Sequence, residues 1–208
     1  MADVEGIVAF SEDVFTHYSK ESILNLSRPP PREDLDHKPA ALWLSDDRDY
    51  GWHQLVTEQV DKGHWPKEDL EKLKHRYEFV IKPSQLAKVR ILSTAKALRE
   101  FTAEYGSDRN CQEGYNDTKA IGYGKHIEWE CIKSRYKGVL ITPYQKDLSH
   151  RFQDPEFHWY RFDCASGCFW DTSCLQVAKC RNPHMKCLPG KVNCSCCTEG
   201  GGVGRIVQ

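Results

Sequence analysis

His17, Tyr18 and Ser19 follow one another in a chain of 208 residues, setting an imidazole, a phenol and a hydroxyl side by side. In extended backbone, consecutive side chains alternate faces, so His17 and Ser19 share one face and Tyr18 takes the other. His17 and Ser19 can then hydrogen-bond a ribose or an amide while Tyr18 packs inward. Trp43 and Ser45 repeat the arrangement, with an indole able to stack on a planar ligand and a hydroxyl able to fix it. Each motif also has a plainer reading: a core histidine with a local serine partner, and a core tryptophan followed by a strand-end cap.

The elements that carry these residues can be traced along the chain. Residues 13–19, DVFTHYS, form a short aromatic and β-branched run that reads as a strand with His17-Tyr18-Ser19 at its end. Three successive prolines, Pro29 to Pro31, fix φ and remove donors, so 28–32 reads as an exposed crossover. Residues 40–45 give a second strand, bounded by Pro39 and the Asp46-Asp47 turn. Leu70, Leu73 and Tyr77 at helical spacing predict a surface helix over 67–77, followed by strands at 78–82 and 89–93. Ala97, Leu98, Phe101 and Tyr105 predict a helix over 94–105, and 106–126 reads as a long polar excursion. Trp129, Ile132 and Tyr136 return to helical period before a strand at 138–142 that Pro143 ends. A last aromatic strand at 158–162 runs into 163–170. This mixed order admits either a split sheet or a doubly wound one. No GxGxxG opens a helix after a strand, Walker A is missing, and no repeat occurs.

Composition narrows the class. With 39% hydrophobic and 28% charged residues, the chain suits one compact domain or a core with a tail. Lys plus Arg number 29 against 30 Asp plus Glu, a formal charge of -1, which supplies no cationic field for nonspecific nucleic-acid binding. Arg28, Arg32 and the run Lys72, Lys74, His75 and Arg76 are the basic exceptions, but that run alternates with acids and reads as a wet face. No stretch approaches 18 apolar residues, and MADVEGIVAFSEDVF lacks the pattern of a secretory leader. The expected address is intracellular, by default cytoplasmic, with no membrane partner.

Only Cys111 and Cys131 precede residue 164; Cys164, Cys168, Cys174, Cys180, Cys187, Cys194, Cys196 and Cys197 follow. Such a cluster suits free thiols, a structural zinc or, in an oxidising compartment, disulfides. Cys164, Cys168, Cys174 and Cys180 offer four thiols without the paired two-residue knuckles of common zinc modules. Cys187, Cys194, Cys196 and Cys197, near His184, offer a second set, and no metal ligands are assigned from either. A thiol-protease pairing of Cys164 or Cys168 with His158 or His17 lacks a nucleophile context, and the deaminase signatures HxE and PCxxC are missing.

Taken together, THYS, KPAALWLS, IEWECIKSRYKGVLITPY and WYRFDCASGCFW, across residues 13–171, resemble a divergent group related to the mono-ADP-ribosyltransferases. The resemblance implies an α+β fold, a split antiparallel β-sheet with peripheral helices, and NAD bound in the cleft. It implies a catalytic domain over 1–180 and a Cys/Gly-rich tail over 181–208. His17, Tyr18, Ser19, Trp43 and Ser45 would hold NAD, with His17 also catalytic. The late strand that commonly supplies an acid reads Val139-Leu140-Ile141-Thr142 here, without a glutamate. Glu128, Glu130, Asp163 and Asp171 are the nearest alternatives, and Asp163 is the choice; its plainer reading is a turn cap before Cys164. The implied reaction is substitution at C1′ of NAD with nicotinamide leaving and a protein, a nucleic acid or water accepting. The alternative is a catalytically inactive fold of the same kind, or a zinc-stabilised cysteine-rich binding module.

Overall fold

The computed structural model describes residues 13–26, 39–107, 126–149, 163–180 and 205–207. In its first half lie β1 (Val14–Ser19), β2 (Ile23–Asn25), β3 (Leu42–Ser45), α1 (Trp52–Asp61), a 3-10 turn (Lys67–Leu73), β4 (His75–Ile81), a second 3-10 turn (Pro83–Lys88) and β5 (Val89–Leu92). Then come α2 (Ala95–Tyr105), β6 (Gly106–Ser107), β7 (His126–Ile127), α3 (Trp129–Lys133), β8 (Gly138–Ile141) and α4 (Lys146–Ser149). β9 (Ser166–Phe169), a third 3-10 turn (Thr172–Cys174), β10 (Leu175–Cys180) and β11 (Arg205–Val207) complete the order. No described helix is long and apolar enough to cross a membrane.

Seven strands form one curled sheet in the order β10-β4-β1-β3-β9-β8-β5. Every neighbouring pair is antiparallel except β5 with β8. That single parallel pair needs a long crossover, which α2, β6, β7 and α3 provide. The doubly wound alternative is thereby excluded, and the molecule is a mixed α+β fold built on a mostly antiparallel sheet. β11 pairs with β2 in parallel, bringing residues 205–207 back beside 23–25.

Period-two alternation divides the sheet's apolar side chains into two cores. One face carries Phe15, Leu42, Leu44, Tyr77, Phe79 and Ile81, packed with Leu24, Leu86 and Leu175. The other carries Leu92, Val139, Ile141 and Cys168, covered by Leu98, Phe101 and Tyr105 of α2 and Ile132 of α3. α2 begins where its residues predict, with the Thr94 hydroxyl accepting from the Ala97 amide at 3.0 Å.

The helix expected over 67–77 is corrected to a 3-10 turn ending at Leu73 and a strand starting at His75. Tyr77 does not close a helical stripe. It alternates with Phe79 and Ile81, and all three are fully buried. Sheet burial outweighs the helical spacing because Leu70, the residue that would anchor a helix here, is 42% exposed. The proline crossover, the strand expected at 158–162 and the cysteines beyond 180 lie outside the described residues.

Candidate functional site

β1 is the pivot of the site. Its register with β4 sets Thr16 opposite Glu78, His17 opposite Tyr77, and Tyr18 opposite Arg76. Cross-strand partners share a face, so Thr16, Tyr18, Arg76 and Glu78 lie together, and His17 lies on the other face with Tyr77. The His17 and Tyr77 ring centroids are 6.3 Å apart. On its other edge β1 meets β3 at a single register pair, Thr16 with Ser45. Beyond that pair the backbone ladder stops and a side chain takes over, with His17 Nδ1 2.9 Å from the carbonyl oxygen of Trp43. A carbonyl only accepts, so Nδ1 carries the proton in this contact and Nε2 of a neutral ring is the accepting nitrogen.

Trp43 faces the other way from His17. It pairs with Cys168 across β9, and its ring packs against the helix-covered core. The sequence pairing of these two residues therefore meets through the Trp43 backbone and not through its indole. Ser19 serves its own turn, accepting from the Glu21 amide at 3.0 Å.

Tyr18 and Ser45 do come together, through a residue that sequence reasoning passes over. The Tyr18 hydroxyl donates to Asp47 Oδ2 at 2.6 Å, and Ser45 Oγ donates to Asp47 Oδ1 at 2.7 Å. Ser45 Oγ also accepts from the Trp52 amide at 2.7 Å, satisfying a donor at the start of α1. Gly51, which precedes that amide, has no room for a side chain: a Cβ would lie 2.6 Å from Asp47 Oδ1 and 2.7 Å from Ser45 Oγ. Burial, and then the bond to Asp47, hold the Tyr18 phenol well above the usual tyrosine range, so it stays a donor at neutral pH. The exposed His53 on α1 brings its ring to 5.9 Å from that of Tyr18.

Arg76 and Glu78 extend the group along β4. Arg76 Nη2 is 3.9 Å from Asp47 Oδ2, and Arg76 Nε is 3.3 Å from Glu78 Oε1. Glu78 is 5% exposed, so its charge sits in a desolvated place, with the Arg76 guanidinium beside it. The sequence does hold a signal for these residues. In HRYEFVI every second residue is suited to the apolar face, and Arg76 and Glu78 fall on the opposite one.

The acids proposed from sequence fall at different places. Asp163 precedes β9 at the end where Ser166 pairs with Ser45, the residue whose hydroxyl donates to Asp47. Its neighbour Ala165 clamps the 46–50 loop, accepting from the Asp46 amide at 2.9 Å and donating to the Tyr50 carbonyl at 2.7 Å. Asp171 caps the third 3-10 turn through the Ser173 amide at 2.9 Å, and the Ser173 hydroxyl first, with that amide adding to it, holds its carboxyl below the usual range. Glu130 is ion-paired with Lys133 at 2.5 Å.

The four-thiol reading of the described cysteines fails on geometry. Cys168 belongs to the helix-covered core and Cys174 to the core on the opposite face, so one ion cannot hold both. Among the described residues no group of three or more His, Cys, Asp or Glu side chains could hold a metal. The same division separates Cys168 from His17. Compared with family models, curated proteins and solved structures, the chain finds no match in any of the three.

Proposed function

We propose that the protein cleaves NAD between nicotinamide and ribose and transfers the ADP-ribosyl group, as in the mono-ADP-ribosyltransferases that its THYS and LWLS motifs resemble. The observation that carries this reading is the fork between β1 and β3, a single backbone pair followed by the His17 imidazole on the Trp43 carbonyl. Read this way, the fork is the split of a split sheet, and nicotinamide with its ribose occupies it. His17 accepts from a ribose hydroxyl through Nε2, fixed in that tautomer by Trp43. The Tyr18 ring offers an aromatic wall, oriented by its bond to Asp47. Asp47 takes over the role of acid from Asp163.

The chemistry asks little more of the chain. The C1′–N bond breaks and its electron pair leaves with nicotinamide. The acceptor's nucleophilic atom bonds to C1′ and gives up its proton to solvent water. Positive charge gathers on the sugar between these events, and a fixed carboxylate stabilises it more in the transition state than in the ground state.

A second reading has its own observation. Both Asp47 oxygens and both functions of the Ser45 hydroxyl are engaged within the protein, which suits a silent fold that kept the architecture for binding or support. Incubating the purified chain with NAD and quantifying nicotinamide separates the two. The enzyme reading predicts steady release, reduced about ten-fold or more in His17→Ala. No release by the wild-type chain with any protein, nucleic-acid or water acceptor leaves the silent fold.

A further inference from the structure

Arg76 has hydrogen-bond donors to spare. It stands opposite Tyr18 in the β1–β4 register, so the two side chains share a face, and its charge is felt at the Tyr18 hydroxyl. Of the two acids beside it, Asp47 Oδ2 lies 3.9 Å from Nη2, too far for a hydrogen bond, and Glu78 Oε1 lies 3.3 Å from Nε but out of line with its N–H. Among the described residues Nε is buried without a partner, and neither Nη donates a hydrogen bond or is closed off from solvent. Neither acid depends on Arg76 alone. Asp47 accepts from Tyr18 and Ser45, and Glu78 has a further interaction and stands opposite Lys179 in the β10–β4 register. With the Arg76 side chain 41% exposed, its attraction to Asp47 across 3.9 Å is worth little.

The NAD reading leaves the diphosphate, the charged part of that molecule, without a partner. Guanidinium N–H groups in a fixed fork match phosphate oxygens, and charge-assisted bonds of that kind are among the strong ones. We propose that Arg76 is a binding residue for the diphosphate of NAD, its two Nη groups donating to phosphate oxygens while nicotinamide lies beside Tyr18. This rests on the NAD reading above and adds to it a strand that none of the resembling motifs includes. The plainer role, a surface cation that balances Asp47 and Glu78, predicts no discrimination between ligands with and without phosphate.

Three ligands separate these roles in calorimetry on the full chain: a non-hydrolysable NAD analogue, nicotinamide riboside, which has no phosphate, and ADP, which has the diphosphate without nicotinamide. Arg76→Gln should weaken the NAD analogue and ADP about ten-fold each and leave the riboside unchanged. Arg76→Lys keeps the charge but not the fork, and should weaken the same two ligands about three-fold. Equal weakening of all three ligands in Arg76→Gln, or none, overturns the proposal. If Arg76→Gln does not fold, Arg76→Lys carries the comparison, and a loss shared by the riboside, or no loss, overturns it.

The two readings fail separately. ADP bound through Arg76, with no binding of the riboside and no nicotinamide released from NAD, would retain the diphosphate contact and reject the NAD reading. A wild-type chain that binds the riboside and releases nicotinamide, with Arg76→Gln indistinguishable from it, would keep the NAD reading and reject the role of Arg76. No binding of any of the three ligands would overturn both.

Discussion

Asp46 and Asp47 are adjacent, yet they belong to regions with opposite tasks. Asp46 is 2% exposed and ties distant parts of the chain together. It accepts from Thr142 Oγ1 at 2.7 Å, across 96 residues of sequence, and from Arg48 Nε and Nη2 at 2.8 and 2.7 Å. Arg48 in turn pairs with Asp13 and lies over the Phe15 ring. Among the described residues Asp47 reaches to β1, β3 and β4, and its partners Tyr18 and Arg76 are half-buried rather than sealed. Asp46 locks a loop to the ends of β8 and β9, through its carboxylate on Thr142 and its amide on the Ala165 carbonyl; the Asp47 carboxylate organises groups that still border solvent. Turning a strand into a loop at Ser45 therefore yields one buried acid that ties elements together and one acid that borders solvent.

The widest separation between the two should appear in stability. Asp46→Ala removes the acceptor of a buried hydroxyl and of Arg48, and roughly 3 kcal/mol should be lost, with the half-exposed Arg48 pair contributing little of it. Asp47→Ala should cost about 1 kcal/mol, since its partners Tyr18 and Arg76 border solvent and can turn to water. Denaturant midpoints measure both, and equal losses would erase the distinction. Turnover sharpens the contrast. Asp47→Asn should lower nicotinamide release about a hundred-fold, and residual activity near the wild-type level would pass the acid's role elsewhere.

The smallest effect concerns Tyr50, on the locking side. Its hydroxyl donates to Glu58 at 3.2 Å and its ring stacks on Tyr144 with centroids 5.4 Å apart. Burial first, and then Glu58, push its phenol up to about 12. The folded value exceeds the unfolded one near 10, so the stabilisation is fully present below pH 10 and is lost as pH rises through about 12. Tyr50→Phe should therefore lose about 1 kcal/mol at pH 8. The gap to the wild type should close in alkaline urea titrations, with nicotinamide release unchanged throughout.

Local patterns in the sequence reach the strands and helices whose neighbours reinforce them. Phe15, Leu42 and Leu44 lie in runs that bury one apolar face, and α2 has both a capping threonine and a stripe through Leu98, Phe101 and Tyr105. α1 is missed although Leu55, Val56 and Val60 are spaced for it, because its start has glycine as N-cap and borrows Ser45 from seven residues away. Tyr77 misleads because it fits two periods, and only the partner strand decides between them. His17, Tyr18 and Ser45 are legible as polar groups on strands. Asp47, Arg76 and Glu78 are not legible as a cluster, because what joins them is the pairing of β1 with β3 on one edge and with β4 on the other. A register of this kind is set by long-range pairing, which no local window contains.

The central claim is that the fork between β1 and β3 grips nicotinamide and its ribose. A crystal structure of the chain with a non-hydrolysable NAD analogue tests it directly. The account predicts a nicotinamide ring beside Tyr18 with a ribose hydroxyl within hydrogen-bonding reach of His17 Nε2. Analogue bound elsewhere, or a fork left closed at saturating analogue, would contradict it.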